Sequence, residues 1–282
     1  TELSTFFIYL PADHIDDGII TAQGRFCEAL GLQRSSLFQV PENEPGTLRL
    51  THWHQPSDMP PLPDKLRLDA FFPWATRKAL RGETIMIAKI ADLPAEAACD
   101  RENLHRFGTR SVVGVPLLVG GRKVLGLLTF ADLGQEREWS ATDVQHFEMV
   151  AQIFASAISR RQAEKALEDR VKFEMLLADI STRFITIPAD GVGRAIEDAQ
   201  RRVCECLGID LCALWEWSAD APQLLVMTHI YRTQDDPPLP ELMDAEEYFP
   251  WSRQEMLAGR TISVASMAEL LPQSPRDVES YR

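Results

Sequence analysis

The chain contains an internal repeat with a constant spacing. Phe6–Asp13 (FFIYLPAD) is similar to Arg183–Asp190 (RFITIPAD), and Phe72-Pro73-Trp74 recurs as Phe249-Pro250-Trp251. Both pairs are separated by 177 positions, from Pro73 to Pro250 for example. A period this long has the size of a whole domain and not of a solenoid unit. The sequence therefore predicts two copies of one fold in tandem.

Size and charge limit the class of protein. The 282 residues fit about two domains of roughly 100–200 residues each. A formal net charge of −13 argues against non-specific binding to nucleic acid or to an anionic membrane, which requires a basic surface. The sequence has no run of about 18 apolar residues, and it opens without Met and without the pattern of a signal peptide. We interpret it as an internal fragment of a longer cytoplasmic protein.

The cysteine pattern supports a reducing compartment. Five cysteines without CxxC spacing match neither a disulfide framework nor a structural zinc site. Two of them occupy equivalent positions on an apolar helix face, where a thiol behaves as a small apolar side chain. We predict free thiols at Cys27, Cys99, Cys204, Cys206 and Cys212.

Hydrophobic periodicity outlines the secondary structure of the first copy. Alternation along the second strand places Leu48, Leu50, His52 and His54 on one face. The proline-rich segment Ser57–Phe71 is expected to lack regular structure. The predicted helices cover Ile15–Leu30, ended by Gly31, and Ala95–Arg106; the predicted strands cover Ser35–Val40, Thr47–Gln55, Thr84–Ile90, Ser111–Val119 and Val124–Ala131.

The predicted domains are 1–139 and 181–282, joined by a helix over 140–180. Counted by the spacing of the repeat, the second domain has no counterpart of Ser111–Val119 or of Val124–Ala131. Its sheet would therefore be open at one edge. We expect an incomplete second domain, finished either by further residues or by a neighbouring chain.

A long helix is predicted from Ser140, because no Gly or Pro occurs before Ile187. Ser140 and Asp143 have the spacing of a capping box. Apolar residues at alternating spacings of three and four give a seam like that of a coiled coil. We expect a parallel homodimer through this helix, because a monomer would leave the seam Val144, Phe147, Ala151, Phe154 and Ile158 partly exposed.

The end of the first copy resembles a GAF domain. The segment Arg110–Pro116 (RSVVGVP), the Gly120-Gly121 hairpin and Gly126–Phe130 (GLLTF) precede a long helix. The FPW, Gly82-Glu83 and Asp92-Leu93-Pro94 motifs resemble GAF modules of bacterial signalling proteins. The resemblance implies an α+β fold: two GAF-like domains, each an antiparallel sheet of about six strands flanked by helices.

The resemblance also implies a function. GAF domains hold small ligands on the sheet face covered by loops and short helices, and they pass signals to output domains such as histidine kinases of two-component systems. Fold alone does not name the ligand. We predict a non-catalytic sensory and dimerisation region, with no cofactor identified, and expect pocket residues among His52, Phe72, Trp74, Cys99, Arg110, His229 and Trp251.

The alternative is a chromophore or redox sensor. Cys99 lies where bilin-binding GAF domains carry the cysteine that bonds the chromophore, although Asp100 follows it in place of the usual His. His52 is a candidate haem ligand, since neutral imidazole binds metals well. An enzyme is less favoured, because the sequence lacks a phosphate-binding glycine loop, HExxH and GxSxG.

Overall fold

A computed structural model describes residues 2–41, 44, 46–59, 61–67, 70–121, 123–233, 239–270 and 272–281. The chain forms two compact units, 1–167 and 168–282, and the boundary lies within one long helix. Part of the proline-rich segments, including Pro60, Pro237 and Pro238, lies outside the described residues.

Unit 1 is an α+β domain that contains all the strands predicted for the first copy. The segment Ser57–Phe71, expected to be irregular, contains a short edge strand, Lys65–Arg67, and the strand predicted over Thr84–Ile90 is only three residues long. The helices and strands are α1 Glu2–Tyr9, α2 Ile15–Leu30, β1 Arg34–Gln39, β2 Thr47–His54, β3 Lys65–Arg67, α3 Pro73–Leu80, β4 Ile85–Ile87, α4 Ala98–Arg106, β5 Ser111–Val119 and β6 Lys123–Asp132, followed by α5 Ala141–Thr186.

The six strands form one antiparallel sheet in the order β3-β2-β1-β6-β5-β4. The central pair β1–β6 comes unusually close at Gly126. A Cβ atom at this position would lie 2.0 Å from the carbonyl oxygen of Phe38. Glycine is therefore required where β6 approaches β1.

The two faces of the sheet are covered by different helices. On one face, α1, α2 and the first part of α5 form a core that includes Ile19, Leu37, Phe130 and Phe147, all fully buried. The other face is covered by α3, α4 and the loop before α3, with two smaller apolar clusters. Burial of such surfaces contributes about 25 cal/mol per Å² of apolar area.

A β-bulge corrects the predicted face of the second strand. Leu37 of β1 pairs with His52, but Phe38 pairs with Leu50, so Thr51 is an extra residue in β2. An extra residue reverses the alternation of side chains beyond it. Leu48 and Leu50 pack with Phe38, on the face away from α2, whereas His52 contacts α2.

The long helix is continuous, as predicted, but its apolar seam is not exposed. Ser140 and Asp143 form the capping box, with the Ser140 Oγ atom 3.1 Å from the Asp143 amide. Phe147, Ala151, Phe154 and Ile158 are at most 1% exposed within unit 1, and Val144 is half-buried. The prediction that a monomer leaves this seam partly exposed is wrong for all of these residues except Val144, because the other four cover the sheet of their own unit.

Unit 2, like unit 1, has a helix, three strands and a helix that begins at the Phe-Pro-Trp motif, but an additional short helix precedes that motif and no described strand corresponds to β4. Its three strands form an antiparallel sheet in the order β7-β8-β9, with a bulge at Thr228, which is equivalent to Thr51. Among the described residues β7 pairs only with β8. The elements are α6 Val192–Leu207, β7 Leu211–Trp217, β8 Leu224–Arg232, β9 Leu242–Asp244, α7 Ala245–Tyr248, α8 Pro250–Leu257, α9 Met267–Leu270 and α10 Pro275–Ser280.

No helix in the described part of the chain is long and apolar enough to cross a membrane.

Candidate functional site

Unit 1 contains a partly enclosed cavity between the sheet and the helices α3 and α4, with a volume of about 110 Å³. Alternate residues of β1, β5 and β6 form its floor. The walls are mainly apolar, and they include Phe38, Leu48, Leu66, Phe71, Phe72 and Leu104. A cavity of this kind is the usual form of a small-molecule site.

A buried aspartate holds the cover of the cavity together. Asp100 of α4 accepts hydrogen bonds from the backbone amides of Trp74 (3.1 Å) and Ala75 (2.9 Å), in the first turn of α3. The residue is fully buried, and this burial raises the pKa of its carboxyl group. Asp100 therefore caps α3 from another helix and fixes α3 against α4.

Arg34 brings a positive charge to the cavity. It begins β1, lines the cavity and is 3% exposed. Its Nη2 atom donates to the carbonyl oxygen of Phe107 (3.0 Å) and its Nε atom to Oε1 of Gln55 (3.1 Å). Both acceptors are neutral, and burial lowers the pKa of the guanidinium.

Ser36 supplies a hydroxyl group beside this charge. It is two residues further along β1, so its side chain projects from the same face as that of Arg34. Ser36 is 1% exposed and lines the cavity, and its Oγ atom has no hydrogen-bond partner in the described structure. Buried hydroxyl groups normally have a partner, so this one is available to a bound molecule.

Of the residues predicted for a pocket in the first copy, only Phe72 lines this cavity. Trp74 lies half-buried in α3, with the Lys78 ammonium 5.2 Å from its ring centre. The Cys99 thiol is 3.1 Å from the carbonyl oxygen of Ala70, to which it donates a hydrogen bond. Arg110 is exposed at the surface, and two other arginines line the cavity instead, Arg34, which is buried, and Arg67, which is exposed.

His52 lies on the opposite face of the sheet. Its Nε2 atom is 2.6 Å from Oδ1 of Asp16 in α2, and its Nδ1 atom is 2.9 Å from Oγ1 of Thr51. Asp16 also pairs with Arg161 of α5. Burial lowers the pKa of His52 although Asp16 opposes this effect. The bulge at Thr51 is the reason that His52 faces the helices and not the cavity.

The two predicted residues of the second copy lie in unit 2. His229 is half-buried, and its Nε2 atom faces Gly193, the position equivalent to Asp16. The amide of Trp251 donates to Asp277 (3.3 Å), just as that of Trp74 donates to Asp100. These contacts are structural, and none of them brings His229 and Trp251 together.

Sequence patterns did not reveal Arg34, Ser36, Asp100 or Asp16 as important residues. A signal for Asp100 was present, because Asp277 is its equivalent in the repeat. A signal for Arg34 was also present, since this arginine directly precedes the predicted strand Ser35–Val40 and is part of the buried strand in the structure. Among the described residues, no group of three or more His, Cys, Asp or Glu side chains could hold a metal ion.

Comparison with known proteins identifies the family of unit 1. Residues 21–158 match the GAF domain family. No curated protein sequence matches the chain significantly.

Similar solved structures include the phycocyanobilin-bound GAF domain from a cyanobacterial phytochrome, with 18% identity, a TM-score of 0.48 and coverage of 58% of this chain and 95% of that one. Residues 122 to 287 of a methyl-accepting chemotaxis protein match with 20% identity, a TM-score of 0.49 and coverage of 58% and 99%. Free methionine-R-sulfoxide reductase from Neisseria meningitidis, in complex with its substrate, matches with 16% identity, a TM-score of 0.45 and coverage of 58% and 87%.

The assignment rests on the family match and on the six-stranded antiparallel sheet, because the TM-scores are below 0.5. Residues 21–158 are therefore a GAF domain.

Proposed function

We propose that unit 1 is a non-catalytic sensory domain, which binds a small molecule in the cavity and transmits its occupancy through α5 to an output domain. The observation that carries this proposal is the apolar cavity of about 110 Å³, which has an unpartnered serine hydroxyl in its wall. Binding changes a conformational equilibrium only when the ligand has different affinities for the two states. The cover formed by α3 and α4 is the element that a ligand would order.

A chain of contacts supports transmission from the sheet to α5. Leu48 of β2 lines the cavity, and His52 further along the same strand contacts Asp16, which pairs with Arg161 of α5. The neighbouring Arg160 donates to the carbonyl oxygens of Phe7, Ile8 and Leu10 at the end of α1. A shift of β2 would therefore reach α5 through buried and half-buried polar contacts.

The volume of the cavity favours a small ligand over a chromophore. Pockets for drug-sized ligands have volumes of about 300–1,000 Å³, so a cavity of about 110 Å³ is too small for a haem or a bilin. Neither His52 nor Cys99 lines it. A purified chain that absorbs visible light would contradict this choice and would favour the chromophore sensor.

We also propose that unit 2 is a second, incomplete GAF-like domain. Support comes from the repeat, from the order of its elements and from the bulge at Thr228. In both units an aspartate caps the helix that begins at the Phe-Pro-Trp motif (the FPW helix, α3 in unit 1 and α8 in unit 2). These aspartates are Asp100 and Asp277.

The protein is proposed to be a parallel homodimer. Its interface lies in a part of α5 that does not include the buried seam. Leu167, Val171, Met175 and Leu177 expose between 44% and 68% of their surface. Val171→Glu together with Met175→Glu should give monomers in sedimentation velocity, whereas Gln162→Glu, at an exposed polar position of the same helix, should leave the dimer intact. A wild-type chain that is monomeric at high concentration would refute the dimer.

The test of ligand binding uses a variant that fills the cavity. A Cβ atom at Gly114 in β5 would lie 3.6 Å from Ile85 and from Leu127, which is ordinary contact. Gly114→Val therefore adds volume to the cavity wall and keeps the strand, where valine is favoured. Wild type should gain thermal stability with some members of a library of small compounds, and Gly114→Val should not. If no compound stabilises wild type, or if the variant responds equally, the cavity is not a sensory site.

A further inference from the structure

We propose that the cavity of unit 1 binds a small monocarboxylate with an apolar body, whose carboxylate group is held by Arg34 and Ser36. This inference rests on the small-molecule site proposed above and names the chemical class of its ligand. It assigns the binding group to two residues of β1, Arg34 and Ser36.

The first argument is a buried charge without a counter-ion. A guanidinium has five N–H donors, and within the described residues Arg34 uses two of them, for the neutral oxygens of Phe107 and Gln55. In the described part of the chain no carboxylate forms an ion pair with Arg34, which is 3% exposed. Buried charges are normally paired, because an isolated buried charge is costly. A bound anion would supply the missing partner.

The second argument is the geometry of the donors that remain free. Arg34 and Ser36 project from one face of β1 and line the same cavity. The Ser36 hydroxyl is buried and unpartnered, so it can donate to one carboxylate oxygen while the guanidinium donates to the other. Each oxygen of a carboxylate can accept more than one hydrogen bond, so both groups can be satisfied at once.

The third argument limits the rest of the ligand. Apart from Arg34 and Ser36 on β1 and Thr129 on β6, whose hydroxyl group donates to the carbonyl oxygen of Ser36, the walls nearest the sheet are formed by apolar side chains such as Phe38, Ile85 and Leu127. Asp100, on the α4 side, is a buried acid that would repel a second carboxylate near it. The volume of about 110 Å³ is comparable to an engineered cavity of about 150 Å³ that holds benzene. Benzoate and isovalerate have the required size and charge.

The repeat supplies the matched variants. The positions equivalent to Arg34 and Ser36 in unit 2 are Leu211 and Ala213, so an uncharged strand of the same fold tolerates Leu and Ala there. Arg34→Leu and Ser36→Ala introduce these residues into unit 1. Arg110→Leu removes an exposed arginine that does not line the cavity, and it serves as the control.

The experiment is calorimetric titration of the full chain and its variants with benzoate and isovalerate, and with the neutral analogues benzamide and benzyl alcohol. Wild type and Arg110→Leu should bind at least one carboxylate more tightly than either neutral compound. Arg34→Leu should weaken that binding about 10- to 100-fold, and Ser36→Ala about fivefold. Circular dichroism verifies that each variant is folded, and Ser36→Ala remains informative if Arg34→Leu does not fold.

The outcomes separate this inference from the proposed function. If the neutral compounds bind wild type as tightly as the carboxylates, the cavity is a ligand site but the carboxylate assignment is wrong. If the carboxylates bind Arg34→Leu or Ser36→Ala as tightly as wild type, they bind elsewhere and the assignment is also wrong. If no probe binds while other compounds stabilise wild type and not Gly114→Val, only the carboxylate assignment fails.

Discussion

Units 1 and 2 share residues that end or cap helices, and they differ at the positions that carry buried or paired polar groups in unit 1. Gly31 and Gly208 both end a helix in the left-handed conformation, and Asp100 and Asp277 both cap the FPW helix. At the equivalent positions of the polar groups, however, Arg34 is replaced by Leu211, Ser36 by Ala213 and Asp16 by Gly193. The two units thus share residues that end or cap helices and differ at these three polar positions.

The units also differ in how far the first strand is covered. In unit 1, β1 pairs on both sides and five of its six residues are buried. In unit 2, β7 pairs with β8 alone among the described strands and none of its residues is fully buried. The pairing of β1 with β6 is thus the main structural difference between the two units.

The largest expected effect comes from breaking the β1–β6 pair. Gly126→Ala would place a Cβ atom 2.0 Å from the Phe38 carbonyl oxygen, so β6 must move away from β1. We expect a loss of about 3 kcal/mol in the free energy of unfolding of unit 1. Hydrogen exchange should show the protection of 34–39 falling toward that of 211–217. Gly114→Ala is the control, since its Cβ makes only ordinary contacts; equal stability of the two variants would mean that β6 does not approach β1 so closely.

The repeat, the main strands and the continuous helix were predictable because they depend on local patterns. The face of His52 was not, because the bulge at Thr51 is visible only in the pairing with β1. The apolar spacing of Phe147 and Phe154 is the same for a helix on a sheet and for a helix in a dimer, so the sequence could not distinguish them. Arg110 was preferred to Arg34 for a similar reason, since exposure depends on tertiary packing.

The next largest effect concerns the aspartate shared by the two units. Asp100→Ala and Asp277→Ala each remove a charged acceptor from two backbone amides, and each should destabilise its own unit by about 3 kcal/mol. Urea unfolding followed by hydrogen exchange would assign the loss to a unit. Glu102→Ala and Glu279→Ala remove exposed acids at equivalent positions of the same helices and should have small effects. Loss of stability in only one unit would show that the two caps are not equivalent.

The same aspartates should differ in their dependence on pH. Burial raises the pKa of Asp100 above 3.8, whereas hydrogen bonds from Ser274 and Ser252 outweigh burial at Asp277 and lower its pKa. Because the pKa of Asp100 is raised in the folded state, its contribution to the free energy of unfolding increases as the pH falls toward 3.8. Because the pKa of Asp277 is lowered in the folded state, its contribution is present above pH 3.8 and is lost as the pH falls below that value. The stability of wild type relative to Asp100→Asn and to Asp277→Asn should therefore change with opposite slopes. Parallel slopes would contradict the difference.

A smaller effect is expected where Asp16 in unit 1 is replaced by Gly193 in unit 2. Asp16→Ala removes a half-exposed carboxylate from His52 and Arg161, and it should cost about 1 kcal/mol. The pKa of His52 should then fall further below 6.5, because Asp16 is the group that opposes the effect of burial. Proton NMR titration of His52 measures this change, and Asp17→Ala controls for the charge at the start of α2.

The reciprocal change tests whether the contact can be built into unit 2. The Cβ atom of a residue at 193 would lie 3.4 Å from Nε2 of His229. Gly193→Asp should therefore bring a carboxylate to the ring of His229 and stabilise unit 2 by about 1 kcal/mol relative to Gly193→Asn, which has nearly the same shape and helix propensity without the charge. Urea unfolding measures the difference, and equal stability of the two variants would mean that the two histidines do not occupy equivalent surroundings.

The smallest effect is a difference in thiol reactivity between equivalent cysteines. Cys27 and Cys204 are both 1% exposed, and burial raises the pKa of Cys27 to about 12 and also raises that of Cys204. Both should therefore react with iodoacetamide only when their unit opens, whereas exposed Cys206 reacts directly. Because β7 is covered less than β1, Cys204 should react about tenfold faster than Cys27. The measurement needs Cys206→Ser and Cys212→Ser, which leave Cys204 as the one thiol of its tryptic peptide. Equal rates at Cys27 and Cys204 would mean that unit 2 closes its core as firmly as unit 1, and the contrast between the two units would then be confined to their polar residues.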